Sequence, residues 1–389
     1  MPAEKLALMH PACLSNRDNR SLSIPRVTFV GPLPPPVTGM TAMTDVIVRA
    51  LAAAGPMTCF NWSCGKPLKG IRWKIARFWG AVRSFFGLLL RGRRPGKPLY
   101  YLANSSWGMA YDFVLLGLGR LLGYRIVLHH HAYSYLDQYD WRMALVNRLV
   151  GSRGAHAVHC QKMVDDFLAQ YNTAATFLIV PPTIVSSEMS LPKDAPSREN
   201  SPDRPFVLGF LSNLTIAKGL HLVLDTFEEL ASRDDKVRLI LAGPCYQKEA
   251  TALVEQALAR WPKRVEYRGP VYGNDKTAFF SAIDTFLFPT QYRNESWGIV
   301  LTEAMSIGCP VIAYDRGCVS HIIRDGCGLV VARDDDFVTE AAGLISQWID
   351  NKELHEQACQ QALTRNEQLE RESDEQLAQF VESLRELSD

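Results

Sequence analysis

Residues 285–331 read TFLFPTQYRNESWGIVLTEAMSIGCPVIAYDRGCVSHIIRDGCGLVV, and this stretch indicates the fold most clearly. Short apolar runs at Thr285–Pro289, Val311–Ala313 and Gly328–Val331 predict strands, and Trp297–Ile307 predicts a helix between the first two. Strands that alternate with helices are typical of a parallel sheet covered by helices. The stretch therefore predicts an α/β domain whose ligand lies at the carboxyl ends of the strands.

Two glutamates, Glu295 and Glu303, lie eight positions apart at the start of the predicted helix. Because a helix repeats every 3.6 residues, this spacing is two turns plus about 80°, so the carboxylates share one side. The backbone amides of residues 296–298, at the predicted helix start, are free to bind phosphate. The pattern indicates an anion site, and two ordinary surface glutamates are the alternative.

Two further positions have the chemistry of a phosphate site. Lys218 lies between the predicted strand Phe206–Leu211 and the predicted helix Gly219–Arg233, where an ammonium group can act as a point charge beside free amides. A solvated lysine before a glycine turn is the alternative. In the first half, the loop GPLPPPVTGM (31–40) contains Gly39, which allows close approach of a ligand before the predicted helix Thr41–Ala54.

Three consecutive histidines, His129, His130 and His131, follow the predicted strand 124–129. Strand alternation predicts that His129 and His131 share one face and that His130 points to the other. Adjacent imidazoles rarely bind one ion, and no cysteine or carboxylate pair flanks them, so we predict no metal site. One histidine that hydrogen-bonds a substrate hydroxyl is favoured, and His156 and His159 are interpreted as packing or surface residues.

The alternation of strands and helices occurs twice along the chain. Residues 181–205 are rich in loop-forming residues and separate the two series. We predict a Rossmann-like domain over 1–185, a linker over 186–205, a second Rossmann-like domain over 206–365 and a helical tail over 366–389. Two such domains in succession are expected to bind a ligand in the crevice between them.

Composition excludes several classes of protein. The chain has 389 residues, 47% hydrophobic and 21% charged, with a net charge of +1, which argues against a disordered or fibrous protein and gives no overall field that attracts nucleic acid. The first 26 residues lack the pattern of a signal peptide, and no apolar run is long enough to cross a bilayer. Nine cysteines without a CxxC pair predict no disulfide framework and a reducing cytoplasm.

Residues 66–97 contain ten Lys and Arg and no acidic residue. Apolar residues recur there every three or four positions from Ile71 to Leu89, which predicts an amphipathic helix. A cationic helix with an aromatic-rich face is typical of helices that bind an anionic membrane surface. The alternative is an amphipathic helix whose apolar stripe packs into the core of the domain. A nucleic-acid-binding surface is disfavoured. The predicted membrane-binding residues are Lys69, Arg72, Trp73, Lys74, Arg77, Trp79, Arg83, Arg91, Arg93 and Arg94.

These features occur together, in the same order, in the retaining glycosyltransferases of family 4, which have the GT-B fold of two Rossmann-like domains facing a cleft. Residues 206–331 are similar to that family. The segment 295–331 resembles its E-x7-E motif, and Ala217–Gly219 resembles the turn of its donor-phosphate lysine. In the first half only the Gly39 loop and the histidine cluster match.

The resemblance implies roles for individual residues. Lys218 neutralises the pyrophosphate of a nucleotide-diphosphate sugar, Glu295 holds the sugar hydroxyls and Glu303 binds the ribose. His131 matches the histidine beside the transferred sugar, with His129 as the alternative. The implied catalytic residues are thus Glu295, His131 and Lys218, and the implied donor-binding residues are Gly39, Asn213, Lys218, Gly298, Ile299, Val300 and Glu303. The family often has an arginine where Asn213 stands, and asparagine brings no charge.

By resemblance, the chain transfers a hexose or deoxyhexose, with retention, from a nucleotide sugar to a lipid-linked saccharide in polysaccharide assembly, with neither cofactor nor metal. The N-terminal domain would bind the acceptor. The expected location is the cytoplasm, peripheral at the inner face of the membrane, with an anionic membrane surface and no nucleic acid as partner. The alternatives are a sugar-nucleotide epimerase of the GT-B fold and a catalytically silent membrane-binding subunit.

Overall fold

Two parallel sheets of six strands each organise the chain. The computed structural model describes residues 25–63, 70–182 and 204–387. The first sheet has the strand order β2-β1-β3-β4-β5-β6, with every neighbouring pair parallel. Its strands are β1 (Val27–Gly31), β2 (Met57–Asn61), β3 (Pro98–Leu102), β4 (Arg125–His129), β5 (Ala155–Val158) and β6 (Thr176–Ile179). The edge strand β2 was not predicted from the sequence.

Six helices belong to the first half of the described chain. They are α1 (Gly39–Ala54), α2 (Gly70–Leu90), α3 (Met109–Leu121), α4 (Ser134–Asp137), α5 (Trp141–Val150) and α6 (Gln161–Gln170). Helix α1 begins with a reciprocal cap, in which the Thr38 side chain accepts from the Thr41 amide and the Thr41 side chain accepts from the Thr38 amide. This cap fixes where the Gly39 loop ends and the helix begins.

The second sheet has the order β12-β11-β10-β7-β8-β9 and is also parallel. Its strands are β7 (Val207–Leu211), β8 (Arg238–Ala242), β9 (Val265–Tyr267), β10 (Thr285–Phe288), β11 (Val311–Tyr314) and β12 (Gly328–Val331). The helices of this half are α7 (Leu220–Ala231), α8 (Lys248–Arg260), α9 (Asn274–Ser281), α10 (Ile299–Met305), α11 (Val319–Ile322), α12 (Phe337–Asp350) and α13 (Lys352–Glu386).

The central strands are buried along their whole length. All five residues of β1, β3 and β7 are buried, as are the four of β10 and β11. Helices cover both faces of each sheet, so these strands are continuous apolar runs rather than alternating ones. The predicted α/β class is therefore confirmed, with two sheets whose carboxyl ends carry the candidate site.

The predicted helix Trp297–Ile307 is shorter in the structure and spans Ile299–Met305. Gly298 has a φ of 74°, which is not helical, so the helix begins only after it. Glu303 consequently lies about one turn inside the helix instead of two. The amides of Gly298, Ile299 and Val300 have no partner within the helix, because Gly298 is the N-cap and the Leu301 amide already donates to the Gly298 carbonyl.

The last helix, α13, connects the second domain back to the first. It spans 35 residues without a break, and its C-terminal part packs on the first sheet, where Phe380 and Leu384 are buried. The Ser373 hydroxyl donates a hydrogen bond of 3.1 Å to the Pro181 carbonyl. Among the described helices, none is both long enough and apolar enough to cross a membrane.

The two domains are joined by packing, by ion pairs and by a disulfide. One hydrophobic cluster contains Met163 of the first domain and Trp297 of the second. Asp137 of the first domain accepts hydrogen bonds from Arg316 at 2.8 Å and from Arg333 at 2.6 Å.

Cys160 precedes α6, Cys318 precedes α11, and the two form a disulfide. The sequence predicted no disulfide framework, and this pair contradicts that prediction. The reason is that the two cysteines are 158 residues apart in sequence and meet only because the domains face each other.

Removal of this disulfide is expected to destabilise the protein. Disulfides typically contribute about 2–4 kcal/mol, so Cys318→Ser should lower the unfolding midpoint by roughly 5–10 °C in thermal unfolding without reductant. Cys59→Ser, at an exposed free thiol, should leave it unchanged. Recovery of Cys160 and Cys318 as separately alkylated peptides from the unreduced protein would contradict the pairing.

Candidate active site between the two domains

The centre of the candidate site is an ion pair between Lys218 and Glu295. Lys218 ends a short 3-10 turn, Ile216–Lys218, that follows β7 and is capped by the Thr215 hydroxyl. Glu295 lies in the loop after β10. The side chains are only 19% and 14% exposed, and the Lys218 Nζ atom also lies 4.6 Å from the centre of the Tyr292 ring. The structure thus brings together two residues that are 77 positions apart in the sequence.

A glycine presses the lysine turn against the end of β10. Gly219 has a φ of 85°, a left-handed conformation that side-chain-bearing residues rarely adopt. A Cβ atom on Gly219 would lie 2.2 Å from the carbonyl oxygen of Pro289. The close approach is possible only for glycine, and it determines where the Lys218 ammonium group lies.

The second glutamate, Glu303, is 6% exposed in α10 and pairs with Lys276 of α9. The two other donor-site candidates of α10, Ile299 and Val300, are its first two residues, and both are partly buried. Lys276 was not among the residues predicted from the sequence. It is 27 positions from Glu303, and no local pattern distinguishes it from other lysines.

The first domain supplies the opposite wall of the site. A Cβ atom on Gly39 would lie 3.0 Å from the side chain of Ile299, so the first residue of α1 lies close to the start of α10. The Ser296 hydroxyl donates a 3.0 Å hydrogen bond to the carbonyl oxygen of His131. These two contacts show that the 295–303 segment faces the first domain at the residues that the sequence singled out there.

The three consecutive histidines alternate as the strand pattern predicts. The rings of His129 and His131 lie 4.2 Å apart, centre to centre, whereas the His130 ring contacts His156 on the other side. His159, which was interpreted as a packing or surface residue, is buried beside His129 and His131. Burial lowers the pKa of His129 and His131 well below the usual value and that of His159 to about 4, so these rings are neutral at pH 7.

Asn213 and Gly298 occupy different environments. Asn213 is exposed in the turn after β7, at the same sheet edge as Lys218. Gly298 is buried immediately before α10, where a Cβ atom would lie 3.0 Å from Phe288. Gly298 therefore determines how the Glu295 loop enters the helix, and Asn213 is available to solvent and ligands.

The packing of helix α2 bears on whether its apolar stripe forms core, which is the alternative that the sequence left open. Its buried residues are the small Gly80, Ala81 and Ser84, together with Leu88. Phe85 packs against the core, as the core alternative expects, but most of the large apolar residues of the helix are exposed, which contradicts that alternative for them. Among the exposed residues are Ile71, Trp73, Ile75, Phe78, Trp79, Phe86 and Leu89. We call these seven residues the α2 apolar face. Of the ten cations of segment 66–97, Lys66 and Lys69 are outside the described residues.

The cations of α2 differ in their surroundings. Arg77 hydrogen-bonds Asn104 and lies 5.0 Å above the Trp73 ring, so it is partly engaged within the protein. Arg91 lies over the Phe60 ring at 5.5 Å. The exposed cations border the α2 apolar face and its C-terminal end: Arg72, Lys74, Arg83, Arg93 and Arg94.

Comparison with known proteins finds a family to which the second domain is similar. Residues 193–365 match the family described as "Glycosyl transferases group 1". A D-inositol 3-phosphate glycosyltransferase of Corynebacterium glutamicum is 26% identical over 276 residues, 64% of each chain. The D-rhamnosyltransferase WbpZ of Pseudomonas aeruginosa is 34% identical over 124 residues, 31% of each chain. The chain thus spans 64% of the length of the first relative and 31% of the second.

Solved structures extend the likeness in fold over both domains. The structure of Anabaena Alr3699/HepE in complex with UDP superposes with a TM-score of 0.69 at 16% identity, covering 92% of this chain and all of the other. A sucrose-phosphate synthase from Thermosynechococcus elongatus gives 0.68 at 15% identity, with 92% and 98% covered. At this identity the likeness concerns the fold.

The turn at Gly219 provides a test of the site's construction. Gly219→Ala should destabilise the protein by roughly 1–3 kcal/mol, because alanine disfavours the left-handed conformation and its methyl group meets the Pro289 carbonyl. Thermal unfolding measures this, with Gly343→Ala as the control, since a Cβ atom at Gly343 meets nothing within 4 Å. Equal stability of the two variants would show that the turn is built differently.

Proposed function

From the premise that residues 193–365 form a domain of the glycosyl transferases group 1 family, within a chain that has the GT-B fold, we propose that the protein transfers a hexose or deoxyhexose from a nucleotide-diphosphate sugar to a saccharide acceptor. The observation that carries this proposal is the ion pair between Lys218 and Glu295. The loop that contains Glu295 faces Gly39 and His131 of the other domain. The relatives named above are sugar transferases, and the bound UDP in Alr3699/HepE supports a nucleotide as the donor's leaving group.

The reaction that we propose breaks the bond between the anomeric carbon and the diphosphate oxygen and forms a bond from that carbon to an acceptor hydroxyl oxygen. The hydroxyl proton leaves with the departing diphosphate. The barrier lies in the negative charge that develops on the diphosphate while the sugar becomes electron-deficient. Groups already aimed at that charge lower the barrier most, because they need no reorganisation. The resemblance of segment 295–331 to retaining enzymes supports retention of configuration.

Lys218 is the group that we assign to the diphosphate. Its ammonium is partly buried against Glu295 and the Tyr292 ring, where an electrostatic interaction is screened less than in water. The amides of Gly298, Ile299 and Val300 lie in the same segment as Glu295 and would supply hydrogen bonds to the diphosphate or the sugar. Asn213 would add hydrogen bonds without charge, so Lys218 is the principal positive charge of this proposed site.

Glu295 and Glu303 have separate proposed roles. Glu295 would hold the hydroxyls of the transferred sugar. Its side chain pairs with Lys218, and the next residue, Ser296, hydrogen-bonds His131. Glu303, whose carboxylate pairs with Lys276, would accept hydrogen bonds from the ribose. His131 would lie beside the sugar, because its carbonyl is tied to Ser296 across the domains. His129 is the less favoured position, since it is fully buried.

We further propose that the acceptor is lipid-linked and that the α2 apolar face binds the inner surface of an anionic membrane. The face is exposed, and the segment 66–97 that carries it has ten cations and no acidic residue. Exposed aromatic residues can insert into the headgroup region of a membrane, and the cations that border them can bind its anionic lipids. Such docking would bring the acceptor domain to the surface where lipid-linked saccharides lie.

Substitution of the ion pair separates binding from chemistry. Glu295→Ala should retain nucleotide binding and lose at least a hundredfold in turnover, because the carboxylate acts on the sugar. Lys218→Ala should weaken both, because it removes the charge on the diphosphate. A thermal-shift panel of uridine and guanosine diphosphates and their sugars gives the ligand, and release of nucleotide from the best sugar donor gives turnover.

The control for this pair is Glu249→Ala, at an exposed position at the start of α8. Full turnover in Glu295→Ala would refute the role of that glutamate. Formation of the epimerised nucleotide sugar, or of nucleotide together with the free epimeric sugar, without any acceptor would indicate an epimerase. Binding without turnover in the wild type would indicate a silent subunit.

Chelation tests whether catalysis is carried by protein groups alone. Because Lys218 and backbone amides would stabilise the leaving diphosphate, EDTA should leave turnover of the wild type unchanged within about twofold. Loss of activity on chelation, restored by Mg²⁺ or Mn²⁺, would contradict this part of the proposal.

Vesicle flotation tests the α2 apolar face. The wild type should float with phosphatidylglycerol-containing vesicles and not with neutral ones. Trp79→Ser combined with Phe86→Ser should reduce partitioning at least tenfold, since burial of each aromatic side chain is worth about 1.5–3 kcal/mol. Tyr272→Ser, at a 75% exposed aromatic residue of the second domain, is the matched control. Equal flotation with neutral and anionic vesicles would count against docking.

A further inference from the structure

Three imidazole rings meet on the side of the first domain that faces the second: His129 at the end of β4, His131 two residues later and His159 after β5. Their ring centres are separated by 4.2 Å (129–131), 5.3 Å (129–159) and 5.2 Å (131–159). One ring nitrogen from each lies within 4.8 Å of the other two. We propose that these side chains bind one divalent transition-metal ion of the zinc class, and that the bound ion inhibits the enzyme.

Two of the rings are oriented by hydrogen bonds at Nδ1. The Nδ1 atom of His129 lies 2.6 Å from the Tyr100 hydroxyl. The Nδ1 atom of His159 donates to the Val180 carbonyl at 3.2 Å. Because a carbonyl only accepts, the proton of His159 is on Nδ1, and Nε2 presents a lone pair. Metal-binding histidines are commonly held in this way through the nitrogen that does not bind the metal.

The other ring nitrogens of His129 and His131 are not engaged in hydrogen bonds among the described residues. Among the residues described, the Nε2 atoms of His129 and His131 are buried and have no hydrogen-bond partner. Buried polar atoms are nearly always hydrogen-bonded, so two unpartnered nitrogens side by side indicate a ligand. A metal ion would satisfy both of them and the Nε2 lone pair of His159 at once.

The neighbouring pair of buried histidines shows the contrast. His130 and His156 form a closed chain, in which the His130 ring binds the Tyr135 hydroxyl at 3.0 Å and His156 at 2.9 Å, and His156 binds the Asn147 side chain at 3.0 Å. Every ring nitrogen in this chain has a partner. Histidine burial in this sheet is therefore compatible with complete hydrogen bonding, and the triad of His129, His131 and His159 departs from it.

The chemistry of the triad selects the class of ion. All three ligands are imidazoles, which bind a metal ion in their neutral form. Neutral imidazoles suit zinc, copper and nickel, whereas magnesium and calcium prefer oxygen ligands. Three imidazoles leave one position of a tetrahedral zinc ion free. That position would be open to the cleft, since His131 is the partly exposed member of the triad.

Inhibition is expected because the His131 side chain would have to bind both the metal ion and the sugar, and this step rests on the proposed function. His131 cannot hold a metal ion and hydrogen-bond the transferred sugar through the same nitrogen. An added ion would also bring positive charge next to a sugar that becomes electron-deficient in the reaction. The metal site itself is independent of any glycosyl transfer.

The wild-type protein tests the site directly. Tag-free full-length protein, free of thiol reductant so that Cys160–Cys318 stays bonded, is titrated with Co²⁺ and followed by its visible absorption. We expect saturation at one ion per chain and full displacement by Zn²⁺. X-ray absorption of the zinc form should give three nitrogen ligands at about 2.0–2.1 Å. No binding at micromolar metal, or oxygen ligands only, would overturn the proposal.

Variants identify the ligands and the consequence. His159→Gln should weaken Co²⁺ binding at least a hundredfold, whereas His156→Gln, from the hydrogen-bonded pair, should bind as the wild type does. Equimolar Zn²⁺ should reduce wild-type turnover at least tenfold and leave that of His159→Gln unchanged. Unaltered binding in His159→Gln would overturn the site, and binding without inhibition would overturn the inhibitory role. Failure of the metal titration would leave the transferase proposal intact.

Discussion

The rest of the candidate site depends on the contact between Lys218 and Glu295. An ammonium and a carboxylate that are each less than one fifth exposed must be paired, because an isolated charge at such a position would lose its hydration without compensation. The pair exists because β7 and β10 are neighbours in a parallel sheet, so the loops that follow both strands emerge at the same edge. Gly219 closes the remaining distance by allowing its backbone to touch Pro289.

The second determinant is the way the two domains are held together. A shared hydrophobic cluster, the Asp137 ion pairs with Arg316 and Arg333, and the Cys160–Cys318 disulfide all connect the two domains. Trp297 of the second domain lies near the His159 ring of the first. Helix α13 adds a connection by returning from the second domain to the first sheet. A site whose walls belong to different domains therefore has defined geometry, which catalysis by electrostatic preorganisation requires.

The sequence predicted those parts of the molecule that depend on local patterns. The strand Gly328–Val331 is an apolar run, and its predicted range is confirmed without change. The range of Val265–Tyr267 is also confirmed, although Glu266 within it is exposed. The edge strand β2 was missed because its sequence, MTCFN, is short and mixed, and only one of its five residues is buried. The helix begins at Ile299 and not at Trp297 because of Gly298, whose positive φ the sequence alone does not reveal.

Long-range partners could not be predicted, because nothing near them in the sequence distinguishes them. Lys276 meets Glu303, Cys160 meets Cys318 and His159 meets His131 only through the packing of distant elements. The orientation of α2 is a similar case. Its helical stripe was predicted, but the small residues pack inward: Gly80 touches Trp62, whose indole donates a 2.8 Å hydrogen bond to Ser84, and this close approach turns the large apolar residues outward.

The most direct test of the account is a crystal structure of the protein with a bound nucleoside diphosphate. The account predicts the diphosphate in the cleft, within hydrogen-bond distance of the Lys218 ammonium group and of the amides of residues 298–300, with Glu303 on the ribose. A diphosphate bound elsewhere, with Lys218 and Glu295 still paired and remote from it, would contradict the central claim.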